Sequence, residues 1–193
     1  MNNLKTEKEQ LRKDIRDLLR QMTSDQRQNW SGIITGKILE LPEYQQAKTI
    51  MVFLSLAREY DTMDFIAIAL KAGKIVCAPK VNWPAWSMEP VQLESIEDMA
   101  ADEHNLKEPT GNKKIFPDTI DLILTPGLAF DLAGHRVGRG GGFYDHFISR
   151  SDLRGFRLAP TFDFQIRPSV PFDSHDQRVD MILSPGKQLR FVR

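Results

Sequence analysis

The stretch Asp121-Leu122-Ile123-Leu124-Thr125-Pro126-Gly127-Leu128-Ala129-Phe130-Asp131-Leu132-Ala133-Gly134-His135-Arg136-Val137-Gly138-Arg139-Gly140-Gly141-Gly142-Phe143-Tyr144-Asp145-His146-Phe147-Ile148 decides the fold. A short apolar run ends at Pro126, and a glycine-dense loop then leads into a helix-like start at Gly142. Such a run suits a strand covered on both faces. Working outward, similar runs occur at Thr49–Ser55, Lys74–Pro79, Gly155–Ala159 and Val179–Ser184. Helical patterns lie between or before them. Leu4, Leu11, Ile15, Leu18 and Leu19 form one apolar stripe. Thr23-Ser24-Asp25-Gln26 caps a second helix reaching about Leu39, with Pro42 just beyond it. Thr62–Ala72 is a third, closed by Gly73. Buried strands alternating with helices predict an α/β fold: a three-layer α/β/α sandwich with a mainly parallel or mixed central sheet, Rossmann-like, as one domain over residues 1–193. The span Asn82–Pro117 is less regular, with a short strand at Met88–Leu93; it reads either as an excursion covering a cleft or as a surface insertion.

Composition narrows the function. Lys and Arg total 26, as do Asp and Glu, so the formal net charge is zero. A globally basic nucleic-acid binder is disfavoured. The single cysteine, Cys77, permits no intrachain disulfide, and it lies in an apolar run as a small buried hydrophobe. No window approaches 18 apolar residues, and the N-terminus lacks a signal-type apolar stretch. A cytoplasmic protein with no membrane, nucleic-acid or obligate protein partner is the expectation.

Five of the 12 glycines fall between Gly134 and Gly142. Such a loop exposes backbone N–H groups to an anion, and Arg136 and Arg139 add charge-assisted donors. Together they make a candidate phosphate cradle, the alternative being a structural turn. No Lys-Ser or Lys-Thr pair follows, so a P-loop is excluded, and the dinucleotide spacing fails at Phe143. Asp145 either favours the helix dipole or holds Mg²⁺ against phosphates. Asp180 opens the last strand; in a parallel sheet that end faces away from the crevice, which counts against it unless this strand runs antiparallel to its neighbours. Asp131 lies at a strand exit, as site residue or turn cap. His104, His135, His146 and His175 form no zinc pattern. Glu59 follows the first strand, where it can accept from a heterocycle or face water. Trp83, Trp86, Met88 and Phe116 could line a flat apolar ligand or a core. Lys8 and Arg12 share a helical face, reaching either a phosphate or solvent.

These residues resemble the 5-formyltetrahydrofolate cyclo-ligase family, also called 5,10-methenyltetrahydrofolate synthetase. The likeness rests on Pro126–Asp131 followed by Gly134, Arg136, Gly138 and Gly140–Asp145, supported by Lys8–Arg12, Glu59–Thr62, Pro79–Val81, Met88, Glu108-Pro109, Phe164-Gln165, His175-Asp176 and Val179-Asp180. Position 143, where the family signature has tyrosine, is Phe143 here, which keeps ring stacking and loses a hydroxyl. The last strand ends in Ser184 rather than the usual threonine.

The resemblance implies an ATP- and Mg²⁺-dependent cyclisation of 5-formyltetrahydrofolate, with or without a polyglutamate tail, to 5,10-methenyltetrahydrofolate, ADP and phosphate through a phosphorylated formyl (iminium phosphate) intermediate. By position, Lys8, Arg12, Arg136, Gly138, Arg139, Gly140, Gly141, Gly142, Phe143 and Tyr144 would hold the ATP phosphates. Asp145 and Asp180 would hold Mg²⁺. Glu59, Trp83, Met88 and Tyr144 would face the folate, with Arg136, Tyr144 and Asp145 at the chemistry. The rivals are a silent nucleotide- or folate-binding relative, another small-molecule phosphotransferase, and an RNA-binding module. With zero net charge, the motifs imply a small basic pocket cancelled by acids elsewhere in the chain.

Overall fold

The computed structural model describes residues 2–102 and 106–192, so His104 lies outside the described residues. The chain opens with three helices. α1 (Asn2–Gln21) buries Ile15 and Leu19 from its apolar stripe. α2 (Ser24–Glu40) starts at Thr23 with a full capping box: the Thr23 side chain accepts the Gln26 N–H at 3.1 Å, and the Gln26 side chain accepts the Thr23 N–H at 3.0 Å. α3 (Pro42–Gln46) has proline at its first turn, where the missing N–H costs no helical bond.

Next come β1 (Thr49–Met51), α4 (Met63–Lys71), β2 (Ile75–Asn82), β3 (Ser87–Leu93), β4 (Met99–Ala101) and β5 (Lys107–Pro109). The second half holds β6 (Leu122–Leu124), β7 (Ala129–Asp131), β8 (Arg136–Val137), α5 (Phe143–Ile148), β9 (Phe156–Pro160), β10 (Ile166–Arg167), β11 (Met181–Leu183) and β12 (Gln188–Arg190). Gly73, at φ +74°, supplies the left-handed turn between α4 and β2.

Among the described residues the main sheet has seven strands, in the order β12-β11-β9-β6-β1-β2-β3. Its five central strands, β11 to β2, run parallel. The outer strands β12 and β3 are antiparallel to their neighbours. The sheet is therefore mixed, with a parallel centre. Strand alternation sorts the apolar runs between two faces. Ile50, Val76, Ala78, Leu122, Leu124, Met181 and Leu183 join α1–α4 in one core. Met51, Cys77 and Ile123 meet Phe147 and Ile148 of α5 on the other face. Ile182 and Ala159 pack there against Phe130 of the small β10-β7-β8 sheet.

β2 continues past the expected end at Pro79 to Asn82, as one arm of a long hairpin with β3. β1 accompanies β2 only to Cys77, so Pro79 interrupts no β1–β2 bond. The irregular span thus contains a projecting ribbon and the β4–β5 pair. No described helix is long and apolar enough to cross a membrane.

Candidate functional site

A cleft of about 460 Å³ opens beyond the C-terminal ends of β1 and β6. This is where parallel α/β sheets place their ligand crevices. Phe53 and Leu54, just after β1, and Pro126-Gly127, just after β6, line it between them. Lys8 and Arg12 come from α1; the Gly138–Gly142 loop runs from β8 into α5; Val81, Trp83 and Met88 come from the β2–β3 ribbon.

The glycines are explained by what lies beneath them. Arg12 Nε donates to the Gly138 carbonyl at 2.9 Å. A Cβ on Gly138 would sit 3.2 Å from Arg136 Nη1, and one on Gly140 would sit 3.6 Å from Arg12 Cζ. Gly140 and Gly142 also have φ of +113° and +71°, which side chains rarely adopt. The loop therefore lies directly on two guanidinium groups. α5 spans only six residues, so the loop and these cations, rather than a long helix dipole, give the wall its positive character.

Each cation is met by an acid. Arg136 is 2 % exposed at its side chain and donates through Nη2 to Asp145 Oδ1 at 2.8 Å. Burial pulls its pKa down, and Asp145 opposes that pull. Lys8 Nζ bonds Asp173 at 2.9 Å and Asp176 at 2.5 Å. Burial lowers the Lys8 pKa, but the two carboxylates outweigh it and the net shift is upward. Hydrogen bonding to Lys8 lowers the Asp173 pKa. Arg12 pairs with Glu9 at 2.5 Å. Arg139 donates to Glu59 Oε1 at 2.6 and 2.8 Å, while Glu59 Oε2 accepts the Leu56 N–H at 2.9 Å. The expectation that distant acids balance a basic pocket is corrected here: Glu59, Asp145 and Asp176 line the same cleft as the cations.

Two buried polar atoms at the cleft, the Tyr144 hydroxyl and Arg136 Nε, have no hydrogen-bond partner among the described residues. Burial drives the Tyr144 pKa upward, so it stays a neutral donor. Such atoms fit a ligand that completes them. On the ribbon side Phe143 stacks on Trp86 at 5.1 Å and meets Trp83 edge-on at 5.2 Å. The ring at position 143 thus serves an aromatic contact that needs no hydroxyl.

The cleft brings together every residue that the resemblance assigned except Asp180, while Trp86, Phe116 and Asp131 lie outside its lining. β11 runs parallel to β9, so Asp180 precedes the N-terminal end of its strand, away from the edge where the cleft opens. It is 4 % exposed, is absent from the cleft lining, and its Oδ2 accepts the Arg157 N–H at 2.7 Å. Asp131 holds the Ala133 and His135 N–H groups, each at 2.9 Å, as a turn residue. Asp176, which also lines the cleft, entered the sequence reading only through the His175-Asp176 match. It lies in an irregular segment, and its partner Lys8 is 168 positions away. No group of three or more His, Cys, Asp or Glu among the described residues could hold a metal alone. Mg²⁺ held by one or two carboxylates plus phosphate oxygens needs no such group, and Asp145 suits that arrangement.

Residues 4–185 match the model of the 5-formyltetrahydrofolate cyclo-ligase family. The chain is 33% identical over 184 residues to a mouse 5-formyltetrahydrofolate cyclo-ligase, covering 90% of this chain and 91% of that one. It is 31% identical over 201 residues to a probable 5-formyltetrahydrofolate cyclo-ligase of Schizosaccharomyces pombe, covering 96% and 98%. Among solved structures, Aquifex aeolicus 5,10-methenyltetrahydrofolate synthetase superposes with a TM-score of 0.86 at 25% identity, covering 96% of this chain and 93% of that one.

Proposed function

The chain belongs to the 5-formyltetrahydrofolate cyclo-ligase family, and from that premise we propose how its cleft closes 5-formyltetrahydrofolate to 5,10-methenyltetrahydrofolate. The co-substrate we infer is ATP with Mg²⁺, and the products are ADP and phosphate. One observation carries the reading: the Gly138–Gly142 loop lies on the guanidinium groups of Arg12 and Arg136, where a Cβ on Gly138 would crowd Arg136 and Gly140 rests in contact distance of Arg12. Bare backbone above buried cations suits a polyphosphate.

The chemistry explains the need for ATP. A formyl oxygen leaves poorly as hydroxide or water and well as phosphate. The formyl oxygen attacks the γ-phosphorus, and the bond to ADP breaks. N10 then attacks the formyl carbon, loses its proton and expels phosphate, closing the ring. The protein's work is positioning and charge neutralisation. Lys8, Arg12, Arg136 and the loop would hold the phosphates. Asp145 would hold Mg²⁺, which neutralises charge on the transferring group. Glu59 would accept from the pterin, with Trp83 and Met88 against its apolar faces. The Tyr144 hydroxyl, buried and unpaired, would donate to a bound substrate oxygen. One domain, residues 1–193, would carry both sites, on folate with or without a polyglutamate tail. The buried thiol of Cys77 needs no oxidising compartment and supports a cytoplasmic setting.

The test is to mix protein, ATP, Mg²⁺ and 5-formyltetrahydrofolate and follow methenyltetrahydrofolate by absorbance. Product forming only with all components supports the reading. Folded protein that makes none, or makes it equally without ATP, refutes it.

A further inference from the structure

We propose that Arg58, which is absent from the cleft lining, is a positioning residue for the folate: its clasp on the last turn of α1 holds the left-handed turn that presents Glu59. This rests on the reading of Glu59 above, as the acid that meets the pterin, and adds a residue behind it.

Arg58 holds a backbone conformation that its own side chain disfavours. Its φ is +74°, and Trp86 is the one other non-glycine residue among the described residues with a positive φ. A Cβ makes this conformation costly, and it persists where surrounding contacts hold it. The contact here is made by the guanidinium. Nη1 donates to the Arg20 carbonyl at 2.7 Å and, at 3.5 Å, to that of Leu19. Both carbonyls belong to the last turn of α1, beyond the reach of any later N–H of the helix. A cation there also meets the negative end of the helix dipole.

The left-handed residue shapes the turn around it. The Glu59 N–H returns to the Leu56 carbonyl at 3.2 Å, and Glu59 Oε2 accepts the Leu56 N–H at 2.9 Å. The acid thus closes its own turn and leaves Oε1 to the cleft, where Arg139 meets it. Beyond Glu59 the chain is tied to α2. Asp61 pairs with Arg27 at 2.9 Å, its N–H donates to Ser31 Oγ at 3.0 Å, and the Tyr60 and Thr35 hydroxyls share a hydrogen bond of 2.8 Å. Toward α1, the helix that carries Lys8 and Arg12, the tie is Arg58. An alanine at position 58 would keep the Cβ that disfavours the turn and lose the clasp that offsets it, so the turn would relax and Glu59 would shift. A glycine would lose the clasp and the Cβ together, so the turn could keep its shape.

The experiment is steady-state kinetics on the wild type, Arg58→Ala and Arg58→Gly, with each substrate varied at saturation of the other and each protein checked for a cooperative thermal transition. Arg58→Ala should raise KM for 5-formyltetrahydrofolate about tenfold, the effect of misplacing one charge-assisted hydrogen bond, and KM for ATP by less than about twofold. Arg58→Gly should recover most of that loss. A residue that only braced the fold would lower Tm without separating the two substrates. An unchanged folate KM in folded Arg58→Ala, an equal rise for both substrates, or Arg58→Gly as impaired as Arg58→Ala would overturn the proposal. If Arg58→Ala does not fold, Arg58→Gly decides: a folate KM within about twofold of the wild type supports the proposal, and a rise of about tenfold overturns it. Wild-type protein that makes no methenyltetrahydrofolate would refute the folate reading itself, whereas wild-type turnover with no shift in Arg58→Ala overturns this proposal alone.

Discussion

Removing Asp145 and removing Arg136 should have unequal effects on stability, although each breaks the same ion pair. Asp145→Ala deletes the acceptor of Arg136 Nη2, at 2.8 Å, and of the Gln177 N–H, at 2.9 Å. It leaves a guanidinium only 2 % exposed without its counter-charge. Losing one partner of a fully buried pair costs about 3–5 kcal/mol. Asp145 is 24 % exposed, so water can enter the gap, and about 2–3 kcal/mol is the expected loss. That lies below the roughly 5–15 kcal/mol of a typical domain, so the variant should fold, with Tm lowered by about 5–10 °C. Arg136→Ala instead leaves the carboxylate, which reaches water, and should cost only about 1–2 kcal/mol. Both should lose ATP-dependent turnover by about a hundredfold or more, as when a preorganised donor to a transferring group is removed. Urea unfolding gives the first quantity, and initial rates against ATP at saturating folate give the second. Arg136→Ala proving the more destabilising, or wild-type ATP dependence in both variants, would refute the reasoning.

Gly140→Ala should weaken both ATP binding and the fold, because φ is +113° although its Cβ meets only the Arg12 head at 3.6 Å; titration calorimetry and a melting curve measure the two. Gly134→Ala should weaken the fold alone: φ is +85° and the Cβ would lie 2.9 Å from the Val179 carbonyl, so a loss above about 2 kcal/mol is expected, with turnover per folded molecule kept. Glu59→Gln should raise KM for the folate more than for ATP, measured by varying each at saturation of the other. Burial pushes the Cys77 thiol up to about 12, so iodoacetamide labelling at pH 8 should run about a thousandfold slower in the native state than after unfolding. Because that pKa is raised on folding, the thiol's contribution to stability is complete below its unfolded value and declines as pH climbs towards 12, which urea midpoints between pH 7 and pH 10 can follow.

The fold was legible where one physical signal acted locally. The apolar runs at Ile50, Val76, Ile123, Leu158 and Ile182 became sheet strands, because burial on both faces demands continuous hydrophobicity. Thr23 announced α2 through its own cap. β8, β10 and β12, of two or three residues each and in no longer apolar run, escaped notice, whereas the equally short β1, β6 and β11 lie within such runs. The first arm of the β2–β3 ribbon was ended at Pro79, although Pro79 sits opposite Pro90 where β1 no longer runs, while the strand expected at Met88–Leu93 already spanned Pro90. In the cleft, the glycine spacing pointed to the wall. That Arg12 lies beneath Gly138, or that Arg139 meets Glu59, follows from contacts 126 and 80 positions apart, and no pattern along the chain encodes those. The sheet-direction argument against Asp180 could be framed from the sequence, but it waited on the sense of β11, which the pairing with β9 makes parallel.

Phosphorylation of the formyl oxygen is the central claim, and oxygen labelling tests it most directly. Protein, ATP and Mg²⁺ are given 5-formyltetrahydrofolate carrying ¹⁸O in its formyl group, and the released phosphate is examined by mass spectrometry. If that oxygen attacks the γ-phosphorus and leaves with it, the phosphate should carry one ¹⁸O per methenyltetrahydrofolate formed. Unlabelled phosphate, with the ¹⁸O recovered in water, would contradict the account.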